Sequence, residues 1–336
     1  MPLKSIRFIS TVAIVLALSV VMLGAYTRLT DAGLGCPDWP GCYGHLVLPT
    51  TPIALSDAQN HYPQVPIESR KAWTEMVHRY AAGTLALLIF AIGLSIFRCC
   101  RSGKRLPWVL PLALIGLVIF QAMLGMWTVT LKLLPVVVMG HLLGGMLIFS
   151  GLCYFRMQLS VVVSNNRPSW RFWLSLGSVL ILCQIALGGW VSSNYAGVAC
   201  IGFPRCNGEW LPALHFYQGF NLFSPVGANY QGGVLDNDVR MTIQFIHRIG
   251  AAVVASYVFV LSLLMLLLVK DTSLRRMAMF AMLLVVVQFS LGVVNVVYLL
   301  PLWIAVMHNG VAAICLATLL SMRYLTTGGA LNVQQY

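Results

Sequence analysis

Long apolar stretches separated by polar segments run through the whole sequence. A helix that crosses a hydrocarbon core of about 30 Å needs roughly 20 apolar residues. Eight stretches approach or exceed that length, at about 6–27, 73–97, 108–130, 136–158, 171–193, 241–268, 277–298 and 302–322. Longer polar segments remain at 28–71 and 194–240. The pattern predicts an all-α integral membrane protein with eight transmembrane helices in a lipid bilayer.

Charged residues are few, and most of the basic ones gather on one side of the predicted helices. Only 9% of the 336 residues are charged, against about 25% in soluble domains, so a soluble fold is excluded. The net charge of +12 does not indicate nucleic-acid binding, because the charges lie beside helix ends. The side with both termini carries one acid, Asp271, and thirteen basic residues: Lys4, Arg7, Arg98, Arg101, Lys104, Arg105, Arg156, Arg167, Arg171, Lys270, Arg275, Arg276 and Arg323. By the positive-inside rule, both termini are cytoplasmic and both long loops lie outside.

The first apolar stretch follows Lys4 and Arg7, an arrangement that also fits a cleaved signal peptide. The stretch is longer than the apolar region of such a peptide, which favours a first transmembrane helix. No segment rich in Arg and Ser precedes it, as an organelle transit peptide would. We therefore expect a multi-pass protein of a bacterial plasma (inner) membrane, with its long loops on the periplasmic side.

The two halves of the sequence repeat each other with an offset of 164 to 169 residues. The aligned features are Glu75 to Arg79 with Gln244 to Arg248, His141 with His308, and Cys36 and Cys42 with Cys200 and Cys206. Because each half has four predicted helices, both halves begin on the same side of the membrane and the repeat is parallel. We expect two domains, 1–160 and 161–336, each a four-helix bundle.

Four histidines occupy repeat-related positions inside predicted helices: His78, His141, His247 and His308. Each lies on the order of 10 Å below the outer boundary, at 1.5 Å per residue. Intramembrane ionisable residues are costly and usually functional, and two imidazoles at one depth in a bundle suit axial ligation of one heme iron. A hydrogen bond to a neighbouring helix is the alternative for any single histidine. Zinc or di-iron fits less well, because Glu75 is the only carboxylate embedded among these helices.

The two halves differ chemically three residues before the first histidine of each half, where Glu75 aligns with Gln244. A carboxylate one turn from an iron ligand can accept a proton, which an amide cannot. This difference predicts catalysis in the N-terminal half and a permanent electron-carrying heme in the C-terminal half. A carboxylate that merely rests at the interface is the alternative. Arg79 and Arg248 follow the first histidines, and they either pair with a heme propionate or extend to the interface.

The outer cysteines predict two disulfides, Cys36–Cys42 and Cys200–Cys206, in an oxidising compartment. Each pair closes a short loop over its half, which favours a structural bond. So short a loop gains modest stability, and a redox-active disulfide therefore remains open. A covalent c-type heme is not expected, because the sequence contains no C-x-x-C-H.

Several of these motifs resemble the heme A synthase family, and the resemblance covers nearly the whole chain. It rests on Gly24 to Thr30 running into Gly33 to Cys42, on Glu75 with His78 and Arg79, on His247 with Arg248, and on His141 and His308. The cluster of Cys, Pro, Trp and Gly in residues 33–42 is its most specific part. The second cysteine pair is not found throughout the family and indicates a subtype at most.

The family oxidises one porphyrin methyl of heme O, through hydroxylated intermediates, to the formyl group of heme A for terminal oxidases. The resemblance implies that His78 and His141 flank the substrate heme and that Glu75 is the acidic residue beside it. It also implies that His247 and His308 ligate a resident heme b. Expected partners are an electron donor such as a quinol and the heme O synthase that supplies the substrate, and a homo-oligomer is compatible with the sequence.

Two other functions remain open from the residues alone. A non-enzymatic diheme b-type cytochrome that takes electrons from quinol also needs four histidines, but it does not account for Glu75 opposite Gln244. A heme or small-molecule transporter agrees with the parallel repeat. However, Gln121, Gln184 and Gln288 are too scattered for a polar pathway and are expected to bond between helices.

Overall fold

The computed structural model describes residues 3–103, 106–160 and 168–327. Within these ranges the chain is all-helical, with two isolated β-bridges. Eight of its helices are long and apolar enough to cross a membrane, which confirms the predicted number of spans. The helices are α1 (Leu3–Leu29), α2 (Pro52–His61), α3 (Ser69–Arg101), α4 (Val109–Thr130), α5 (Pro135–Gln158), α6 (Pro168–Ser193), α7 (Phe216–Gly219), α8 (Asn237–Leu268), α9 (Thr272–Val297) and α10 (Leu302–Leu325). Lys104, Arg105 and Arg167, which contributed to the predicted orientation, lie outside the described residues.

The membrane-spanning helices pack in two sets of four. α1, α3, α4 and α5 form a closed ring in which each helix contacts the next, and α6, α8, α9 and α10 form a second ring. Between the sets, α1 and α5 pack against α10, and α5 packs against α6. Buried aliphatic side chains from both sets join in one continuous core. Each set therefore has its own interior, and the two interiors adjoin.

α3 and α8 begin about one turn earlier than predicted, at Ser69 and Asn237. Their first turns are polar, so hydropathy alone does not include them. With 33 and 32 residues, each helix is about 50 Å long at 1.5 Å per residue, which exceeds the hydrocarbon core of about 30 Å. The additional turns are where the long polar segments contact the bundle.

The turns of the two sets adopt matching backbone conformations. Asp31 and Tyr195, each two residues beyond a helix, have φ of 51° and 55°, and Leu133 and Leu300, each two residues before a helix, have φ of 62° and 63°. Both pairs occupy aligned positions of the sequence repeat. Because non-glycine residues with positive φ are uncommon, these matches reflect a shared turn geometry.

Aligned residues also contact each other where the two sets meet. The Tyr195 hydroxyl donates a hydrogen bond to Oδ1 of Asp31 at 3.1 Å. The Arg28 guanidinium lies 3.9 Å from the centre of the Tyr195 ring, and its Nη2 donates to the carbonyl of Ser192 at 2.5 Å. The turns after α1 and α6 are thus joined by polar contacts.

Candidate functional site

Each of the four predicted ligand histidines packs its ring against a glycine of a neighbouring helix. A Cβ added at any of these glycines would lie 3.0 to 3.3 Å from Cε1 of the ring, so a larger residue would crowd the imidazole. The pairs are His78 with Gly24, His141 with Gly125, His247 with Gly188, and His308 with Gly292. The sequence indicated the histidines, whereas their glycine partners became apparent only from the helix packing.

His78 and His141 face each other in the first set. Their ring centroids are 6.4 Å apart, with the ring planes at 80°. A metal–imidazole bond is about 2 Å long, so this spacing admits one metal ion between the rings. Nδ1 of both histidines is buried and has no hydrogen-bond partner within the described chain. An unpaired buried nitrogen is unfavourable by about 1–3 kcal/mol, which favours a ligand at this place.

His247 and His308 occupy the corresponding positions in the second set, on α8 and α10. Nδ1 of His308 is buried and unpaired among the residues that the structure describes. Nδ1 of His247 lies 3.0 Å from Nε2 of Gln184. A cavity of about 60 Å³, lined in part by Gln184 and Gln288, lies in the same interior.

Three glutamines bond between helices at the level of the histidines. The contacts are Gln121 Nε2 to the His141 carbonyl at 2.5 Å, Gln184 Nε2 to the His247 carbonyl at 2.9 Å, and Gln288 Nε2 to Nε2 of His308 at 3.3 Å. The bonds between helices are as predicted. That each one reaches a histidine was missed, although the signal is present: each glutamine lies four residues before a glycine that faces a ring.

Glu75 is only 4% exposed, and both of its carboxylate oxygens are bonded. Oε1 pairs with Nη2 of Arg79 at 2.5 Å, and Oε2 accepts a hydrogen bond from the backbone N–H of Cys36 at 2.9 Å. The aligned Gln244 is also buried, but its Oε1 has no partner in the described ranges. The carboxylate therefore connects α3 to the first cysteine loop, a role that the sequence did not reveal.

Arg79 and Arg248 fasten the two cysteine loops to α3 and α8. Each guanidinium donates to three backbone carbonyls of its loop. The acceptors are Asp38, Pro40 and Gly41 for Arg79, and Cys200, Gly202 and Arg205 for Arg248. Both side chains extend toward the cysteine loops, and their pairing with a propionate stays a prediction.

Both cysteine pairs lie at disulfide-bonding distance. The Cα atoms of Cys36 and Cys42 are 4.8 Å apart, and those of Cys200 and Cys206 are 4.9 Å apart, as in other disulfides. Beside the first pair, burial, reinforced by nearby carboxylates, raises the pKa of the Tyr43 hydroxyl. This protonated hydroxyl donates to the carbonyl of Pro66 at 3.0 Å, which holds the first loop against the rest of its segment.

A larger cavity, of about 620 Å³, is lined by residues of α4, α5 and α10. Its wall is mostly apolar, but Ser150, Tyr154 and Gln158 line it at intervals of one turn along α5. Ser150 is 1% exposed, and its Oγ, like Oε1 of Gln158, is unpaired among the described residues. Ser150 lies nine residues beyond His141, about 14 Å along the helix. The cavity therefore lies where the first set meets α10 and is distinct from the His78–His141 pair.

Comparison with known proteins covers nearly the whole chain. Residues 7–320 match the family described as COX15-CtaA, cytochrome oxidase assembly protein. A heme A synthase of Shewanella oneidensis is 46% identical over 317 residues, which are 93% of this chain and 94% of the relative. Heme A synthases of Allorhizobium ampelinum and Neorickettsia sennetsu are 30% and 27% identical, over 90% and 94% of this chain and 85% and 98% of their own lengths. The chain therefore belongs to the heme A synthase family of cytochrome oxidase assembly proteins.

Proposed function

We propose that the protein is an oxidoreductase that converts heme O to heme A, by oxidation of a porphyrin methyl through hydroxylated intermediates to a formyl group. The observation that carries the proposal is the facing pair of His78 and His141 in a helix ring that also contains the buried Glu75. The names and coverage of the relatives support the same reaction.

Heme fits the two histidine pairs. Among the described residues no group of three His, Cys, Asp or Glu could hold a metal ion, whereas two imidazoles per set suit the axial ligation of heme. The unpaired Nδ1 atoms of His78, His141 and His308 and the glycines that face all four rings agree with this ligation. When bound, heme would supply electron transfer and the oxidising chemistry. His78 and His141 would then hold the substrate heme O, and His247 and His308 a resident heme b.

Glu75 is the residue best placed to manage protons at the substrate site. It lies one helical turn before His78, where a carboxylate can accept a proton and return it. Its pairing with Arg79 and with the N–H of Cys36 fixes its orientation. Gln244 cannot take this role in the second set, which supports a division into a catalytic half and an electron-carrying half.

The cysteine loops cover the two sets at the end where the polar segments lie. Arg79 and Arg248 hold these loops by their carbonyl groups, which supports structural disulfides at Cys36–Cys42 and Cys200–Cys206. The same arginines lie one position after the first histidine of each pair, where a guanidinium could also pair with a propionate.

The halves 1–160 and 161–336 are parallel repeats in this proposal, with both termini cytoplasmic and the long loops periplasmic. Support comes from the equivalent helix rings and from the matching φ angles of aligned turn residues. The distribution of basic residues sets the orientation, and the bacterial relatives favour the plasma membrane.

Electrons would come from a lipid-soluble reductant such as a quinol. The cavity between α4, α5 and α10 supports this choice, because it combines an apolar wall with the polar groups of Ser150, Tyr154 and Gln158. A plain acyl chain would leave the buried Ser150 hydroxyl unpaired, which is unfavourable. A reductant with hydroxyl groups could bond to it.

The proposal is tested by extracting the hemes from the purified protein, produced with and without a heme O synthase, and identifying them by chromatography. Heme A or its hydroxylated precursor beside heme b, only when heme O is supplied, is the expected result. Heme b alone in both preparations, at two per chain, would instead support the diheme cytochrome that takes electrons from quinol.

A further inference from the structure

Arginines join the first and last helices of each four-helix set at the end that carries both termini. In the first set, Nε of Arg7 on α1 donates to the carbonyl of Leu159, the residue that follows α5, at 2.7 Å, and Nη2 donates to the same carbonyl. Arg156 of α5 reaches back, because its Nε donates to Oγ1 of Thr11 on α1 at 3.2 Å. The aligned residues of the second set make the same two contacts, Arg171 with Thr326 and Arg323 with Ser175. The arrangement is therefore a feature of the repeat.

The guanidinium groups of Arg7 and Arg156 bond to adjacent residues of one turn in the first set. Arg7 bonds to the carbonyl of Leu159, and Nη1 of Arg156 donates to the hydroxyl of the next residue, Ser160, at 2.7 Å. These acceptors are uncharged, and the ion pairs among the described residues involve other side chains. The single acid that the sequence has on this side, Asp271, instead caps the start of α9. Two cations thus lie on one turn of the chain without a carboxylate.

Each of these two guanidinium groups has a nitrogen that is available for a further acceptor. Nη1 of Arg7 and Nη2 of Arg156 make no hydrogen bond within the described chain. Neither is among the buried nitrogens that lack a partner, so both can be reached from outside the protein. Guanidinium groups bind phosphate oxygens by short, charge-assisted hydrogen bonds. The pair therefore has the charge and the donors that a phosphate group requires.

An apolar surface continues from the two arginines along the outside of α1. Phe8 and Val15 are 70% and 64% exposed, and Val12 is exposed between them. Thr11, the acceptor of Arg156, is exposed beside them, because residues three and four apart share one face of a helix. From Phe8 to Val15 the surface extends about 10 Å along the helix. A ligand that fits both parts has a negatively charged head and an apolar chain.

We propose that Arg7 and Arg156 bind the phosphate group of an anionic phospholipid, whose acyl chain lies along the exposed apolar face of α1. Basic pockets between membrane helices suit such head groups. The bound lipid would neutralise the two cations and connect α1 to α5 at their ends. In the proposed orientation the lipid belongs to the cytoplasmic leaflet. The inference goes beyond the proposed reaction and does not depend on the heme sites.

The test is native mass spectrometry of the delipidated full-length protein, titrated with phosphatidylglycerol. The double variant Arg7→Gln with Arg156→Gln should bind the lipid about thirtyfold more weakly than the wild type, as expected for two arginines near an anionic lipid. The matched control is Arg275→Gln with Arg276→Gln, which removes the same charge from two exposed arginines on the same side and should bind as the wild type does. Equal weakening in the two double variants would overturn the site, and so would wild-type affinity in both.

A measurement on the wild type keeps the test decisive if the first double variant does not fold. Phosphatidylglycerol should raise the thermal unfolding midpoint of the delipidated protein in detergent. Phosphatidylethanolamine, which has no net charge, and inorganic phosphate, which has no acyl chain, should leave the midpoint unchanged. Equal stabilisation by phosphatidylethanolamine would show that the phosphate charge is not recognised. Equal stabilisation by inorganic phosphate would show an anion site that does not select a lipid, and either result would contradict the proposal.

Discussion

The residue that most clearly separates the two halves is Glu75. Both of its carboxylate oxygens are bonded, whereas Oε1 of the aligned Gln244 has no partner among the described residues. Those bonds depend on Arg79 and on the backbone of Cys36, and only the folded loop brings that backbone to α3. The folded loop thereby determines the orientation of the carboxylate.

Glu75→Gln is expected to lower the rate of heme A formation by about 10²–10⁴-fold, the usual contribution of a general acid or base. The amide keeps the shape but cannot exchange a proton. Chromatography of hemes from the membranes measures the product. Glu68→Gln, at an acid with a 56% exposed side chain on the same segment, is the matched control and should act normally. Normal turnover in Glu75→Gln would exclude a proton-transfer role.

Gly188→Ala is expected to reduce the heme b content of the purified protein. The new methyl group would lie 3.1 Å from Cε1 of His247, and overpacking of this kind typically costs about 1–3 kcal/mol. The pyridine hemochrome spectrum measures the content. Gly83→Ala is the control, because among the described residues no atom outside its own stretch of helix lies within 4 Å of its new Cβ. An equal heme content in both variants would contradict the predicted crowding of His247.

At the scale of elements, the first turn of α3 shows where hydropathy fails to predict the helix boundary. The apolar pattern begins near residue 73, but the helix begins at Ser69, because the polar turn packs against the first cysteine loop. The backbone at Lys71 and Ala72 lies so near Gly35 that a Cβ there would clash at 2.6 Å. Such long-range support leaves no local periodic signal.

The contact between α3 and its cysteine loop predicts that replacement of Arg79 and replacement of Arg248 will lower the stability of the protein by different amounts. Arg79→Leu should destabilise the protein by about 3–5 kcal/mol, because Glu75 would remain buried and unpaired. Arg248→Leu loses hydrogen bonds but leaves no buried carboxylate without its charged partner, so the loss of stability should be smaller. Thermal unfolding midpoints in detergent provide the comparison. The double variant Glu75→Leu with Arg79→Leu should recover much of the loss, and failure to do so would argue against the ion pair as the cause.

The cavity lined by α4, α5 and α10 predicts a second effect at the scale of elements. Ala113 lines this cavity, and Ala113→Trp would fill part of it. The variant should slow reduction of the heme by an added quinol at least several-fold, without loss of heme. Ala122→Trp is the control, because Ala122 is exposed on the same helix and outside the cavity lining. Stopped-flow absorbance in the Soret band measures the rate. Equal rates in the two variants would place the reductant elsewhere.

For the whole molecule, the eight spans followed from the sequence because each apolar run exceeds the membrane thickness. Which helices pack against each other between the two sets could not be predicted, because an apolar surface carries no sequence pattern that identifies its neighbour. The histidine pairs were recognised only because the repeat placed equivalent residues on equivalent helices.

The predicted orientation is tested with reporter fusions. A green fluorescent protein fused after Tyr336 should fluoresce, because its end of the chain is expected in the cytoplasm, where that reporter folds. Alkaline phosphatase inserted after Asn221, in the second outer segment, should be active only if that segment is periplasmic. The reverse pattern would show that the basic residues do not set the orientation.

The hydrogen bond between Tyr195 and Asp31 has a consequence for the origin of the chain. In an ancestor made of two identical four-helix subunits, this position would face a copy of itself, so a donor could not have been selected on one side and an acceptor on the other. Different residue types at the two aligned positions become possible only after gene duplication, when each position is encoded separately. The Tyr195–Asp31 contact therefore depends on two aligned positions that are encoded separately, so that each set of four helices can change independently of the other.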